Sequence, residues 1–407
     1  MVDEWRAELE DISRRYFLRL LTATAFGGLT AACQKQQASL ISVPAGQTVE
    51  RYPEKTELIL LTDRPPQLET PLCYFRQDLT PNEAFFVRWH HSGIPTSIDL
   101  RTFRLNVGGH TERQLSLSVD DLKSKFEPVT LVAVNQCSGN SRSFFEPRVP
   151  GGQWANGAMG NARWKGAPLK DILNAAGVKA GAVDVAVSGL DEPPLSSMKK
   201  FVKALSIEHA LSDVLVAYEM NDAPLPLLNG FPLRLVVPGW YATYWIKSLA
   251  HVEVLSAKFQ GFWMDKAYRI PKNADASETP ENLAKDTVPI NRMNVRSLII
   301  RPDLTDVVRA GRMFEIEGIA FDGGSGIAGV QVSVDGGASW SDAKLDSNDL
   351  GRFSFRRWRL AWTPASAGHY SVMVRAVSNS GEKQNEHVWN KSGYMRNVVE
   401  RIEVPVV

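Results

Sequence analysis

The chain has 407 residues, 22% of them charged, and a formal net charge of +1. Near-neutrality removes any bulk electrostatic drive toward nucleic acid or a membrane surface, so functional charge has to be local. The length allows two or three domains with substantial cores, and 11 tryptophans, 23 prolines and 30 glycines favour a loop-rich, β-leaning protein over a helical bundle.

At the N-terminus, Ser13-Arg14-Arg15-Tyr16-Phe17-Leu18-Arg19 leads into an apolar, small-residue run closing at Thr30-Ala31-Ala32. Paired arginines before such a segment match a twin-arginine export signal over residues 1–32, which predicts delivery to the periplasm as a folded protein. The plain alternative is an amphipathic first helix. Arg19 interrupts the run, which is also too short for a convincing membrane span. Thr30 stands where a lipoprotein signal prefers leucine, so lipidation of Cys33 stays open. Residues 33–58 are polar and patternless, and read as an arm.

Residues 59–284 carry mixed signals. Asp63–Pro71 is held extended by its prolines. Ala84–Arg88 and Leu100–Val107 read as strands, and Ser118 caps a short helix to Lys125. An apolar run, Val129 to Val134, precedes a polar, glycine-rich loop spanning Asn135–Trp164. A helix over Pro168–Ala176 stops at Gly177. Val183–Val187 is a strand, Phe201–Leu211 is helical in part, and Val214–Glu219, Leu233–Val237 and Thr243–Val254 are apolar or β-rich. Strands and short helices without a βαβ period predict an α+β domain.

Past the polar segment Asn273–Asp286 the pattern becomes strictly alternating, as in Phe314–Ala320, Val330–Val334 and Ser371–Val377. Asp-Gly-Gly at residues 322–324 and 335–337 punctuates it. Residues 285–407 therefore read as hairpins of a small antiparallel sandwich.

Only three cysteines occur, Cys33, Cys73 and Cys137, with no CxxC and no CxxCH. That pattern supports neither a zinc ribbon nor a thioredoxin-type site, and puts no covalent c-type haem on this chain. HExxH, GxSxG, Walker and GxGxxG patterns are also missing, so the common hydrolase and nucleotide-binding readings have no anchor. Cys137 ends a strand and opens a glycine-rich loop, a setting for soft-metal or nucleophile chemistry. On its own it fits a buried structural thiol at least as well. Arg88 with His90, Arg142 five residues after the thiol, and Tyr268 are oxyanion-binding groups in separate segments. Each alone also fits a surface ion pair or a half-buried phenol.

Taken in order, a set of segments resembles the sulfite oxidase family of molybdenum enzymes, above all its bacterial periplasmic sulfite dehydrogenases. They are Arg64–Pro71, Phe86–His90, Gln136–Arg142, Gly160–Gly166, Leu215–Asn221, Gly230–Gly239, Trp263–Tyr268, Pro289–Leu298, Val334–Trp340 and Trp389–Asn397. The resemblance implies a mixed α/β molybdopterin-binding domain followed by an immunoglobulin-like antiparallel β-sandwich of the dimerisation type. It implies molybdenum-molybdopterin with Cys137 as the protein's metal ligand. Phe86, Val87, Arg88, Trp89, His90, Asp191, Asn229, Arg234, Trp245, Ile246 and Lys247 fall at pterin-binding positions, although many relatives carry histidine at 229. Arg88, Arg142 and Tyr268 fall at substrate-facing positions.

The implied activity is oxidation of sulfite to sulfate, with electrons passed singly to a c-type cytochrome. That cytochrome is either a subunit, giving a heterodimer, or a diffusible partner, and the sandwich otherwise implies a homodimer. Animal and plant relatives have a further arginine in Trp-Asn-x-Arg-Gly. Here the segment is Trp389-Asn390-Lys391-Ser392-Gly393, with Lys391 and Arg396 as the nearby cations. Rival readings are a molybdopterin reductase acting on nitrate or an S-oxide, and a non-catalytic exported binding module.

Overall fold

The computed structural model describes residues 48–407; the segment read as an export signal, Cys33 and the first part of the arm lie outside them. The rest of the arm is not a tether. Strands Thr48–Arg51 and Glu57–Thr62 pair antiparallel and continue through Gln67–Glu69 to Val87–Arg88 in one four-stranded sheet. Polar composition concealed the first of these strands; in the second, Leu58 and Ile59 are both buried, and Leu58 packs with Leu68, Val87 and Trp89 in a small satellite core.

Two five-stranded sheets form the bulk of the first domain. One runs in the order Val202–Ser206, Asp184–Gly189, Leu249–Leu255, Leu105–Gly109, Leu115–Leu117. The other is built on Leu215–Met220, Met159–Pro168 and Val129–Gln136, with Ala223–Pro224 and Arg234–Val236 at its margin. Short helices stand where the caps predict them. Ser118 and Asp121 form a reciprocal capping box on Val119–Lys125, and Gly177, at φ 72°, ends Leu169–Ala176. Residues 201–211 are strand first and helix second, because Val202–Ser206 takes the sheet edge before Ile207–Ala210 turns.

Val129–Gln136 and Met159–Pro168 form a hairpin in register from Val129↔Gly166 to Gln136↔Met159. The loop read over 135–164 therefore ends earlier, and Gly160–Trp164 lies in a strand. Cys137 is the first residue beyond the ladder, its amide donating to the Ala158 carbonyl at 2.9 Å. The thiol thus hangs from the rigid end of a buried hairpin.

The C-terminal domain is a sandwich of two four-stranded antiparallel sheets around one core containing Ile316, Trp358, Val332, Val374 and Val404. Asp335-Gly336-Gly337 turns a hairpin between Ile327–Ser333 and Ser341–Asp342. Asp322-Gly323-Gly324 does not. Its carboxylate accepts from the amides of Gly324, Ser325 and Gly326, and curls the chain from one sheet into the other.

Candidate active site

A small cavity opens beside Cys137. Of the residues predicted for the site, Phe86, Arg88, His90, Cys137, Asn229, Arg234, Lys247 and Tyr268 line it together. Val87 and Trp89 are packed in the satellite core, and Trp245 and Ile246 in the main one. Asp191 is buried near Lys247 and His91, behind the lining, and burial raises its pKa, with Lys247 pulling the other way.

One wall is a chain of rings. Tyr268 shares a hydrogen bond with His90 Nε2, and His90 stacks on Phe201 at 3.5 Å. Burial holds the His90 pKa well below its usual value, with Arg88 adding to the effect, and burial raises that of Tyr268. A neutral imidazole and a protonated phenol therefore face the cavity at neutral pH. Tyr268 sits at φ 56°, and Ser141 and Met395 nearby are also left-handed, at φ 70° and 59°. Non-glycine residues take that conformation only where surrounding contacts over-determine it.

Arg142 approaches from the cysteine loop. Its guanidinium donates to the carbonyls of Gly152 (3.2 Å) and Ser392 (3.3 Å) and lies 4.9 Å from the Tyr394 ring centre. A β-carbon at Gly139, Gly151 or Gly393 would come within 2.6–2.8 Å of that guanidinium, so three glycines from two domains make its slot. The glycines of residues 151–160 belong to the glycine-rich loop and the strand that follows it. Their close neighbours here are protein atoms, with Gly151 against Arg142 and Gly160 against Phe85.

The C-terminal domain completes the site through Tyr394, which stacks on Tyr268 at 5.3 Å. Asn390 holds it in place, with Oδ1 accepting from the Tyr394 amide and Nδ2 donating to the Tyr394 and Ala276 carbonyls. Neither sequence candidate for a replacement cation reaches the cavity. Arg396 is paired with Glu400 at 2.8 Å, and Lys391 is exposed. Tyr394 lies inside the family-like segment Trp389–Asn397, where no residue type marks it for an oxyanion or a metal.

Lys55 was also missed, because nothing in the arm's pattern marks it. Its ammonium donates to Asn229 Oδ1 and to the carbonyls of Asn82 (2.7 Å) and Phe85 (3.1 Å). Asn229 in turn donates to the Phe86 carbonyl at 3.1 Å, and its own carbonyl accepts from Arg234 at 2.9 Å. Residue 229 thus gathers two cations, Lys55 on its side-chain oxygen and Arg234 on its main-chain carbonyl. Burial lowers Lys55 and Lys247 to about 7 and Arg234 to about 9.

Lys203 belongs to the same surroundings. It is fully buried, donates to the Trp263 carbonyl at 2.7 Å, and lies 5.2 Å from the Tyr268 ring centre. Burial, with Arg269 adding to it, lowers its pKa from 10.5 to about 7. The folded state therefore binds fewer protons than the unfolded chain between these values, and stability rises with pH across that window. Lys203→Met is expected to raise the thermal midpoint at pH 7 by removing a desolvation cost on the order of a few kcal/mol. It should also flatten the rise toward pH 10, as read by calorimetry at both pH values; an unchanged slope would contradict this.

Comparison with known proteins agrees with this architecture. The family described as "Oxidoreductase molybdopterin binding domain" matches residues 91–263, and "Mo-co oxidoreductase dimerisation domain" matches residues 287–407. Mitochondrial sulfite oxidase of Mus musculus is 35% identical over 81% of this chain, and sulfite oxidase of Gallus gallus 34% over 78%. The chain spans 62% of the mouse protein's length and 71% of the chicken protein's. Nitrate reductase [NADH] 1 of Oryza sativa subsp. japonica is 28% identical over 88% of this chain and 42% of its own length. Among solved structures, the sulfane dehydrogenase SoxCD of Paracoccus pantotrophus superposes with a TM-score of 0.74 at 23% identity, over 94% of both chains.

The two modules in this order define a molybdenum oxidoreductase. The chain belongs to the sulfite oxidase family.

The residues present fit the cofactor that this family implies. Arg88 Nη1, Arg234 Nε, Ser138 Oγ and Thr243 Oγ1 are buried at the cavity without a partner within the protein, as is Asn135 Nδ2 beside Arg234. Buried donors left unpaired are costly, and so are clustered buried cations. A polar, anionic molybdopterin offsets both, and Cys137 is the cavity's soft donor.

Proposed function

We propose that the protein oxidises sulfite to sulfate in the periplasm and passes the electrons one at a time to a c-type cytochrome. The observation that carries this is the convergence of Arg88, Cys137 and Tyr268 on one cavity, with Arg142 held against it through Tyr394. Molybdenum-molybdopterin, when bound, supplies the two-electron redox centre and the oxygen transferred to sulfur. Cys137 would hold the metal, while Arg234, Lys247, Lys55 and Asn229 would hold the pterin.

Two guanidinium groups with planar donors suit a small oxyanion, and their combined charge favours a dianion such as sulfite over singly charged nitrate. Tyr268, oriented by His90 and Tyr394, presents its hydroxyl toward the same space. The twin-arginine segment supports export. On the C-terminal domain, exposed Leu304, Val307, Met313 and Val407 offer apolar surface for a second copy.

Steady-state assays on molybdenum-loaded protein test the reading. Sulfite-dependent reduction of cytochrome c or ferricyanide is expected, and no reduction of either acceptor overturns it. Preferential turnover of nitrate would favour the reductase alternative instead. For Arg142→Met, kcat/KM for sulfite should fall on the order of a hundredfold or more. Inhibition by sulfate should weaken alongside, and a change below about threefold would remove Arg142 from the substrate site.

A further inference from the structure

The ring contacts that wall the cavity continue to the protein surface. His90 meets Trp263 edge-on at 5.4 Å, and Trp263 meets Phe262 at 5.0 Å. Phe262 is 49% exposed. Trp263 Nε1 donates to the Lys199 carbonyl at 3.1 Å, which ties the helix Phe262–Asp265 to the segment before it. In that segment a turn closed by the Met198 amide on the Leu195 carbonyl leaves Leu195 61% and Met198 41% exposed. Single exposed apolar residues are ordinary. Three from two joined segments, at the outer end of a ring path that begins at the His90–Tyr268 pair, are not.

Charge adds a second constraint. Lys199 follows Met198 directly, and Lys266, whose amide donates to the Phe262 carbonyl, caps the same short helix. Both are exposed; the one carboxylate on that helix, Asp265, is also exposed but accepts from the Gly261 amide at 2.6 Å, so two cations and one capped carboxylate border the apolar face.

We infer that this face docks a one-electron redox protein whose prosthetic-group edge is apolar and bordered by acidic side chains, and that electrons reach it through Trp263. The inference rests on the proposed sulfite oxidation. There, sulfite and water give sulfate, two protons and two electrons. The protons pass to solvent, and each electron reduces one acceptor, or the same acceptor on successive visits. Because the donor site is buried, an acceptor protein has to approach where conducting side chains come closest to water. Aromatic side chains in van der Waals contact shorten the gap that tunnelling must cross. The apolar centre supplies contact area, while the lysines steer and orient a partner of opposite charge.

The test compares acceptors on the molybdenum-loaded full chain with sulfite as donor. The probes are ferricyanide, an acidic cytochrome c and a basic cytochrome c. The wild type should prefer the acidic cytochrome, with kcat/KM falling as salt rises. Phe262→Glu, and separately Met198→Glu, should lower kcat/KM for the acidic cytochrome at least tenfold while ferricyanide turnover stays unchanged. Equal losses with both acceptors, or none with either, overturn the inference. So does an altered association state in Phe262→Glu with unchanged cytochrome kinetics, which would assign the face to a second copy. Failure of wild-type sulfite turnover with ferricyanide strikes the proposed reaction itself and is thereby told apart.

Discussion

Cys137→Ser protein is expected to fold, to retain almost no molybdenum and to oxidise no sulfite with any acceptor. Backbone geometry does not depend on the sulfur. The Cys137 amide closes the hairpin on Ala158, and the Asn140 amide donates back to the Cys137 carbonyl at 3.0 Å. A serine hydroxyl fits the same space but does not ionise near neutral pH, and lacks the soft donation that suits a redox-active metal. Cys73, the other described cysteine, sits in the short helix Leu72–Arg76 and does not line the cavity, so it offers no substitute. The readouts are metal content by elemental analysis and the thermal midpoint with and without cofactor. A ligand that binds only the folded state raises that midpoint, so the variant should lose the cofactor-dependent increment and keep the rest. Full metal content and turnover in the serine variant would remove Cys137 from the centre.

Glu400→Gln carries the largest expected stability loss. Arg296 is 1% exposed and Glu400 8%, and they are ion-paired. Through the same nitrogen Arg296 donates to Ser141 Oγ (2.7 Å) and Asn156 Oδ1 (3.0 Å), both on the loop that carries Cys137 and Arg142. Glu400 opens the last strand of the sandwich and also accepts from Arg396 at 2.8 Å. Neutralising it leaves two guanidinium groups buried without a counter-charge, at a cost of about 3–5 kcal/mol. The expected result is a marked fall in the urea midpoint together with a raised KM for sulfite, since Ser141 directly precedes Arg142. An apolar double replacement, Arg296→Met with Glu400→Leu, should recover most of the stability but not the KM. That split separates the pair's contribution to folding from its hold on the loop. A loss below about 1 kcal/mol in Glu400→Gln would show that water or rearrangement compensates the charges.

Local signals were legible wherever a short-range rule acts. Ser118 with Asp121 marks a helix start, Gly177 a stop, and alternation marks the strands of Phe314–Phe321 and Gly368–Ser378. They failed where a neighbour in space overrides the local pattern. Strand Thr48–Arg51 depends on pairing with Glu57–Thr62, and that strand on pairing with Gln67–Glu69, while Asp322 breaks a hairpin by capping its own turn.

The site divides in the same way. Family-like segments marked Arg88, Cys137, Arg142 and Tyr268, because each lies in a contiguous motif whose residue types already suit an oxyanion and a soft metal. The sequence also determined the order of the two domains and the lack of a haem-attachment motif. Lys55, Lys203 and Tyr394 carry no such mark. Each matters through one distant contact, to Asn229, to the Tyr268 ring and to Arg142 respectively. Only the tertiary structure decided that Asn229 gathers cations, that three glycines shape the slot for Arg142, and that the C-terminal domain stacks a phenol, Tyr394, on Tyr268. Composition and spacing describe what a residue can do; burial and convergence of segments far apart in the chain select which ones do it.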